Sequence, residues 1–137
     1  MILVDTNVWS ELTKPTREPR VVEWLRAHDG QTILSTLVIG EIQQGIAMTS
    51  GPEKRLLLIN WKDELLASHA DKILSFDFES AIAWGNLAAP LRLNRESRLT
   101  IDVMLAAQAL VHGLPFATRN RRDFSVKGLE IIDPWTA

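Results

Sequence analysis

Met1-Ile2-Leu3-Val4-Asp5-Thr6-Asn7 is the stretch on which the reading of the fold turns. Ile2, Leu3 and Val4 form a short apolar run with no polar alternation, the pattern of a strand covered on both faces. An acid ends the run, and Val8, Trp9 and Leu12 follow at helical spacing, so a strand passes straight into a helix. Outward from there, Ile73-Leu74-Ser75-Phe76 and Pro115-Phe116-Ala117 repeat the pattern, with Thr32-Ile33-Leu34 and Leu129-Glu130-Ile131-Ile132 as weaker strands. Helical stripes lie between them. One holds Val21, Val22, Trp24 and Leu25; a second opens at Pro52, where a missing N–H is harmless, and runs through Leu57, Leu58, Trp61 and Leu65. Ala81, Ile82, Trp84 and Leu87 mark a third, interrupted or kinked near Pro90. Thr100 caps a fourth, which passes Met104, Leu105 and Ala109 towards Gly113 and Pro115. Strands alternating with helices imply an α/β domain around a mainly parallel sheet of about five short strands.

The 137 residues suit one domain, 1–137, with no repeat, low-complexity tract or Gly/Ser linker to divide it. With 46% apolar and 23% charged residues, the composition is that of a globular protein. The absence of cysteine excludes a disulfide scaffold, a thiol nucleophile and thiolate zinc sites, and it accords with a reducing cytoplasm. His28, His69 and His112 have no paired spacing, which argues against a histidine-built zinc site. No apolar stretch approaches the ~18 residues of a membrane span, and the amino terminus lacks the basic region and long apolar run of a signal peptide. A net charge of −2 advertises no polyanionic partner, so a nucleic-acid ligand has to be argued from local chemistry.

In an open α/β sheet ligands bind beyond the carboxyl ends of the strands, so the residue leaving each strand comes first. Asp5 leaves the first strand; it serves as a helix cap, as a functional acid, or as both. Thr118-Arg119-Asn120-Arg121-Arg122-Asp123-Phe124 leaves the strand at 115–117, either as a polar surface turn or as part of a site. Glu41 and Asp102 are each the sole charge in a run of small or apolar residues, which puts them at the border of the core. A rim position for Glu41 and the helix macrodipole for Asp102 are the plainer explanations. Gly40 and Gly45 flank Glu41 at a cost of about 1 kcal/mol apiece in a helix. Close approach by a helix, a subunit or a ligand accounts for them, as does a helix that ends early. If Asp5, Glu41, Asp102 and Asp123 converge, they cannot all stay ionised: two carboxylates ~5 Å apart at an effective dielectric of ~20 repel by roughly 3 kcal/mol. Such a cluster holds protons, recruits basic side chains or binds a cation. Oxygen ligands without thiol or paired imidazole favour Mg²⁺ or Mn²⁺, and such an ion beside basic segments suits phosphodiester chemistry.

The sequence resembles the PIN-domain ribonucleases, in particular the VapC-type toxins of type II toxin–antitoxin pairs, over nearly the whole chain. Residues 1–7 look like the family's opening strand and first metal-binding acid. Ser35-Thr36-Leu37-Val38-Ile39-Gly40-Glu41-Ile42 with Gly45 looks like the segment of the second, and 101–109 that of the third. Residues 117–124 match the closing motif, and Asp133-Pro134-Trp135 resembles a common ending. The resemblance implies a three-layer α/β/α fold and a metal-dependent endoribonuclease. Asp5, Glu41 and Asp102 would hold Mg²⁺ or Mn²⁺, and Asp123 would complete the catalytic ring. Thr6, Asn7, Thr118 and Asn120 would support these acids, water or phosphate. Asn120 stands where many relatives carry an aspartate, so it adds no negative charge. A homodimer and a small antitoxin partner are implied as well.

RNA contact falls to Arg92, Arg95 and Arg98 in one basic segment and to Arg119, Arg121 and Arg122, with Lys127, in another. A solvated face is the plainer account of both. Trp24, Trp61 and Trp84 are assigned to packing, and Trp9 to packing or the antitoxin interface. Two other functional classes are the alternatives. One is a PIN-fold binding module with little turnover, to which Asn120 gives weight. The other is a receiver-type phosphoacceptor domain, which Asp5 without an adjacent acid and Asp102 inside a helix disfavour.

Overall fold

The computed structural model describes residues 1–93, 100–120 and 126–137. Strand β1 (Ile2–Val4) runs into helix α1 (Thr6–Ser10), a 3₁₀ turn at Glu11–Thr13 and helix α2 (Pro19–Ala27). Strand β2 (Thr32–Ser35) leads into α3 (Thr36–Ala47) and α4 (Pro52–Ser68). Strand β3 (Ile73–Leu74), helices α5 (Phe78–Leu93) and α6 (Thr100–Val111), and strands β4 (Phe116–Ala117) and β5 (Ile131–Ile132) complete the order. The five strands form one sheet in the order β3-β2-β1-β4-β5, and every pairing is parallel.

All three residues of β1 are buried. Successive strand residues face opposite sides of the sheet, so helices cover both faces at its centre, as in a three-layer α/β/α arrangement. The strands on either side differ in a consistent way. Only Ile73–Leu74 of the expected strand at 73–76 pairs, and Ile73 is 42% exposed because β3 is an edge. After β3, the Phe76 N–H turns to the Thr36 hydroxyl (3.2 Å) and leaves the ladder. At the other edge, β5 is shortened to Ile131–Ile132 and only half-buried. Pro115 has no N–H to donate and precedes β4, but its carbonyl accepts from the Leu3 N–H (3.0 Å).

The helical stripes need rotating in two places. In α4 Leu58, Trp61 and Leu65 pack on the core at i, i+3, i+7, whereas Leu57 lies off that face and is exposed. In α5 the inward face is Trp84, Leu87, Ala88 and Leu91, while Ala81 and Ile82 face solvent. That helix is uninterrupted through Pro90. Thr100 is the first helical residue of α6, and what precedes it lies outside the described residues. The assignment of Trp24, Trp61 and Trp84 to packing holds, and Trp9 joins the core with its ring edge on His69, 5.3 Å between centroids. Two explanations of Gly40 and Gly45 fail, since α3 runs through both and a Cβ on either would meet no atom within 4 Å.

Leu3 is fully buried in the middle strand. Leu3→Ala should lower unfolding free energy by ~2–5 kcal/mol in urea titrations. The exposed Leu57→Ala should change it by no more than about 0.5 kcal/mol.

Candidate functional site

The sheet's connectivity decides where the site lies. From β1 the chain builds outward through β2 and β3 on one side, then returns to add β4 and β5 on the other. The strand order therefore reverses between β1 and β4, and a crevice opens there beyond their carboxyl ends. The pairing of Val4 with Ala117 sets the next residues, Asp5 and Thr118, side by side at its base.

Asp5 is both cap and site residue. Its extended backbone starts α1, and its Oδ1 accepts the Thr6 N–H (2.6 Å). Its Oδ2 accepts the Thr118 hydroxyl proton (2.8 Å) in a fully buried contact. The Thr118 oxygen in turn accepts from the Asn120 N–H (3.2 Å) and from Asn7 Nδ2 (3.4 Å). Asn7 Oδ1 accepts the Arg119 N–H (3.4 Å), so the start of α1 and the exit of β4 are laced together. Glu41, in the middle of α3, reaches the same place from β2's side, where its Oε1 accepts the Thr6 hydroxyl proton (2.6 Å). Asp102 enters from the first turn of α6, where its Oδ2 accepts from Asn120 Nδ2 (3.3 Å). A position inside a helix rather than at a strand end removes Asp102 from the phosphoacceptor arrangement.

The electrostatics show that the acids feel one another. Burial raises the Asp5 pKa from 3.8 to about 7; the Asp102 charge adds to the rise, and Glu41 adds less. The hydrogen bonds from Thr118 and Thr6 oppose this and lose. Glu41 is raised as well, first by burial and then by Asp102, against the Thr6 hydrogen bond. Among the described residues no three acids or histidines stand close enough to form a ready metal-ligand set. The donor chemistry nevertheless fits a hard divalent cation. The donors are all carboxylate oxygens, and each Asp5 oxygen keeps a lone pair beyond its present bond. A cation there would offset the burial and the repulsion that together raise the Asp5 pKa.

Thr6, Asn7, Thr118 and Asn120 thus all brace the acids. Arg119 is exposed, with its guanidinium 4.9 Å above the Trp135 ring. Lys127 lies on an exposed turn. Asp123, Arg95, Arg98, Arg121, Arg122 and the side chain of Arg92 lie outside the described residues. Two features escaped the sequence reading. Buried Glu11 accepts from the Glu18 N–H (2.8 Å) and from Lys14 (2.9 Å), which hold its pKa below the usual carboxylate range and fasten the segment after the 3₁₀ turn. In addition, a cavity of about 300 Å³ opens beside Glu41, with Thr6, Gly45 and Trp61 among its walls. Glu11 stands in a polar stretch, and the cavity's residues are spread over more than fifty positions, so neither left a local pattern.

Comparison with known proteins agrees with this geometry. The family model of the PIN domain matches residues 2–128. The chain is 37% identical to the plasmid stability protein StbB of Pseudomonas syringae pv. tomato, over 100% of each chain. It is 33% identical to the VapC ribonuclease Y4jK of Sinorhizobium fredii, over 98% of each. Toxin FitB of Neisseria gonorrhoeae is 31% identical over 98% of this chain and 99% of its own. The crystal structure of FitAcB from the same organism superposes with a TM-score of 0.87 at 30% identity, over all of both chains.

The raised Asp5 pKa sets a pH dependence. Below about pH 3.8 the group is protonated both folded and unfolded and adds nothing. As pH rises towards 7 the unfolded chain ionises while the folded one does not, so stability falls by an amount on the order of 3–4 kcal/mol. In chelator, urea titrations should show Asp5→Asn flattening this decline between pH 4.5 and 7.5 and exceeding wild-type stability at the upper end. An unchanged slope would mean that Asp5 is not the strained group.

Proposed function

The chain belongs to the PIN-domain family, and from that premise we propose that it is the ribonuclease toxin of a toxin–antitoxin pair, hydrolysing RNA phosphodiesters with Mg²⁺ or Mn²⁺. The observation that carries the reading is a buried acid at the switch point, Asp5, whose pKa is raised to about 7 by burial first and then by the nearby charges of Asp102 and Glu41. A divalent ion bound there would supply Lewis-acid activation of water and neutralise charge growing on the phosphate.

The chain's own residues do the rest. Asp5, Glu41 and Asp102 would hold the ion, and Asp123 would add a fourth acid. Thr118 fixes one Asp5 oxygen and the Thr6 N–H the other, so that carboxylate is locked in one orientation. The Thr6 hydroxyl aims Glu41, and the Asn120 amide aims Asp102. Asn120 thus acts by positioning an acid, a role that an added charge would not improve. Arg92, Arg95, Arg98, Arg119, Arg121 and Arg122 supply positive charge for the RNA backbone. Hydrolysis leaves 5′-phosphate and 3′-hydroxyl ends.

The whole chain, 1–137, acts as one domain and pairs as a homodimer, held silent by a small cognate antitoxin. The relatives named as a VapC ribonuclease and as Toxin FitB support this setting. No helix among the described residues is long and apolar enough to cross a membrane, and we place the protein in the cytoplasm on the toxin–antitoxin reading, not on that absence.

Purified protein should cut single-stranded RNA with added Mg²⁺ or Mn²⁺ and stop with chelator. Asp5→Asn and Asp102→Asn should abolish cleavage while melting at or above the wild-type temperature, and Thr118→Val should lose roughly 10–100-fold. A binding module without turnover would retain RNA in a shift assay and cut nothing. Cleavage by both aspartate variants at the wild-type rate, with trace nuclease excluded, would falsify the assignment.

A further inference from the structure

The cavity of about 300 Å³ shares Thr6 and Glu41 with the acidic cluster, so whatever fills it lies next to those acids. Its size is that of a small-molecule site. Helix α3 contributes Gly45 and helix α4 contributes Trp61. Glycine weakens a helix, and a Cβ on Gly45 would meet no atom within 4 Å, so packing inside the chain does not explain it. What the missing side chain leaves is room in the cavity. Trp61 is partly buried against the core and also lines the cavity. Thr49 and Thr13, also on the wall, donate their hydroxyl protons to the carbonyls of Gly45 (2.8 Å) and Ser10 (2.7 Å). Towards a ligand both oxygens are therefore acceptors. Two exposed ammonium groups, Lys14 and Lys54, also line the cavity, beside the apolar side chains of Pro15, Ile42, Ile46 and Leu58. Lys14 is shared with Glu11, and Lys54 makes no ion pair among the described residues.

We propose that this cavity is a nucleoside subsite. It takes one unstacked base of single-stranded RNA against Trp61, adjacent to the phosphate that is cut, with Lys54 meeting the neighbouring phosphate. The inference rests on the ribonuclease reading and gives it a source of sequence preference. Stacking accepts any base, and acceptor oxygens favour bases that present N–H groups at their edge. Ile42, Ile46 and Leu58 give the wall an apolar surface on which the face of a base can pack, and the Lys14 and Lys54 ammonium groups favour an occupant that also carries phosphate over a neutral apolar side chain.

Gly45→Leu tests this, because Gly45 lines the cavity, a Cβ there meets no atom within 4 Å, and leucine is the better helix former. The variant should melt at or above the wild-type temperature. On oligonucleotides randomised around the cut, it should lose base preference at one flanking position, with KM raised about tenfold and kcat little changed. Unchanged preference and KM would overturn the proposal. A second readout is independent of turnover. In Asp102→Asn protein, the Trp61 indole N–H resonance should shift on titration with a six-nucleotide single-stranded RNA, and Gly45→Leu should remove the shift. If the chain cuts no RNA yet Trp61 responds, the nuclease reading fails and the subsite stands. If it cuts RNA while Trp61 stays silent and preference is unaltered, the subsite fails alone. A Gly45→Leu effect confined to antitoxin binding assigns the cavity to a protein partner and also overturns it.

Discussion

A carboxyl group buried at the end of the central strand is the constraint around which this molecule is arranged. Asp5 is 2% exposed and has two other acids within electrostatic reach. A buried charge needs hydrogen bonds, a proton or a counter-ion. Two hydrogen bonds are supplied, by Thr6 and Thr118, and they do not suffice, since the pKa still climbs to about 7. The protein thus keeps a proton there near neutrality that a cation would displace. Stability is given up at this one point, and the neighbouring geometry is over-determined to hold it.

The strands that frame this point are short. β4 has two residues, yet it places Thr118 against Asp5 across a separation of 113 positions. What makes so little ladder sufficient is that the chain bonds on past each strand. The Asp5 N–H donates to the Ala117 carbonyl and the Thr118 N–H to that of Ile132, both at 2.9 Å. The Thr118 hydroxyl then joins β4 to Asp5, Asn7 and Asn120 at once. Asn120 carries the linkage to α6 through Asp102, and Thr6 carries it to α3 through Glu41. Small polar side chains therefore set the relative positions of acids borne on three separate elements.

Much of this was legible in the residues themselves. β1 could be read because its burial on both faces leaves an uninterrupted apolar run, and Asp5 because it ends that run. Glu41 and Asp102 stood out as lone charges in apolar helices. The same logic fails at the sheet's edges, where β3 and β5 are short, so apolar residues such as Phe76 and Leu129 extend the expected strands too far. Helix faces were misread by one position at Leu57 and Ile82, where an apolar residue sits outside the buried stripe. Thr6, Asn7, Thr118 and Asn120 drew attention only as neighbours of acids or through resemblance. Which partner each would choose depends on the β1–β4 register, and no local pattern encodes that. The cavity beside Glu41 is further still from sequence, because Gly45 and Trp61 become its walls only when α3 and α4 pack.

Charge balance connects the acid cluster to the cleft. The chain carries a net charge of −2, and Glu41 and Asp102 add negative charge beside Asp5. A polyanion approaching this position meets repulsion from Glu41 and Asp102, and from Asp5 once that acid has lost its proton. The exposed lysines of the cleft are screened beyond about 8 Å at physiological salt, so they anchor a flanking phosphate without cancelling the field at the reacting one. On the proposed reading, local charge reversal by a divalent ion is what allows the scissile phosphate to settle. Ion and RNA are then linked ligands: by thermodynamic reciprocity, each tightens the other by the same factor. The proton on Asp5 is the third member of this linkage, since it competes with the ion for the same oxygens, and lowering the pH weakens ion and RNA together.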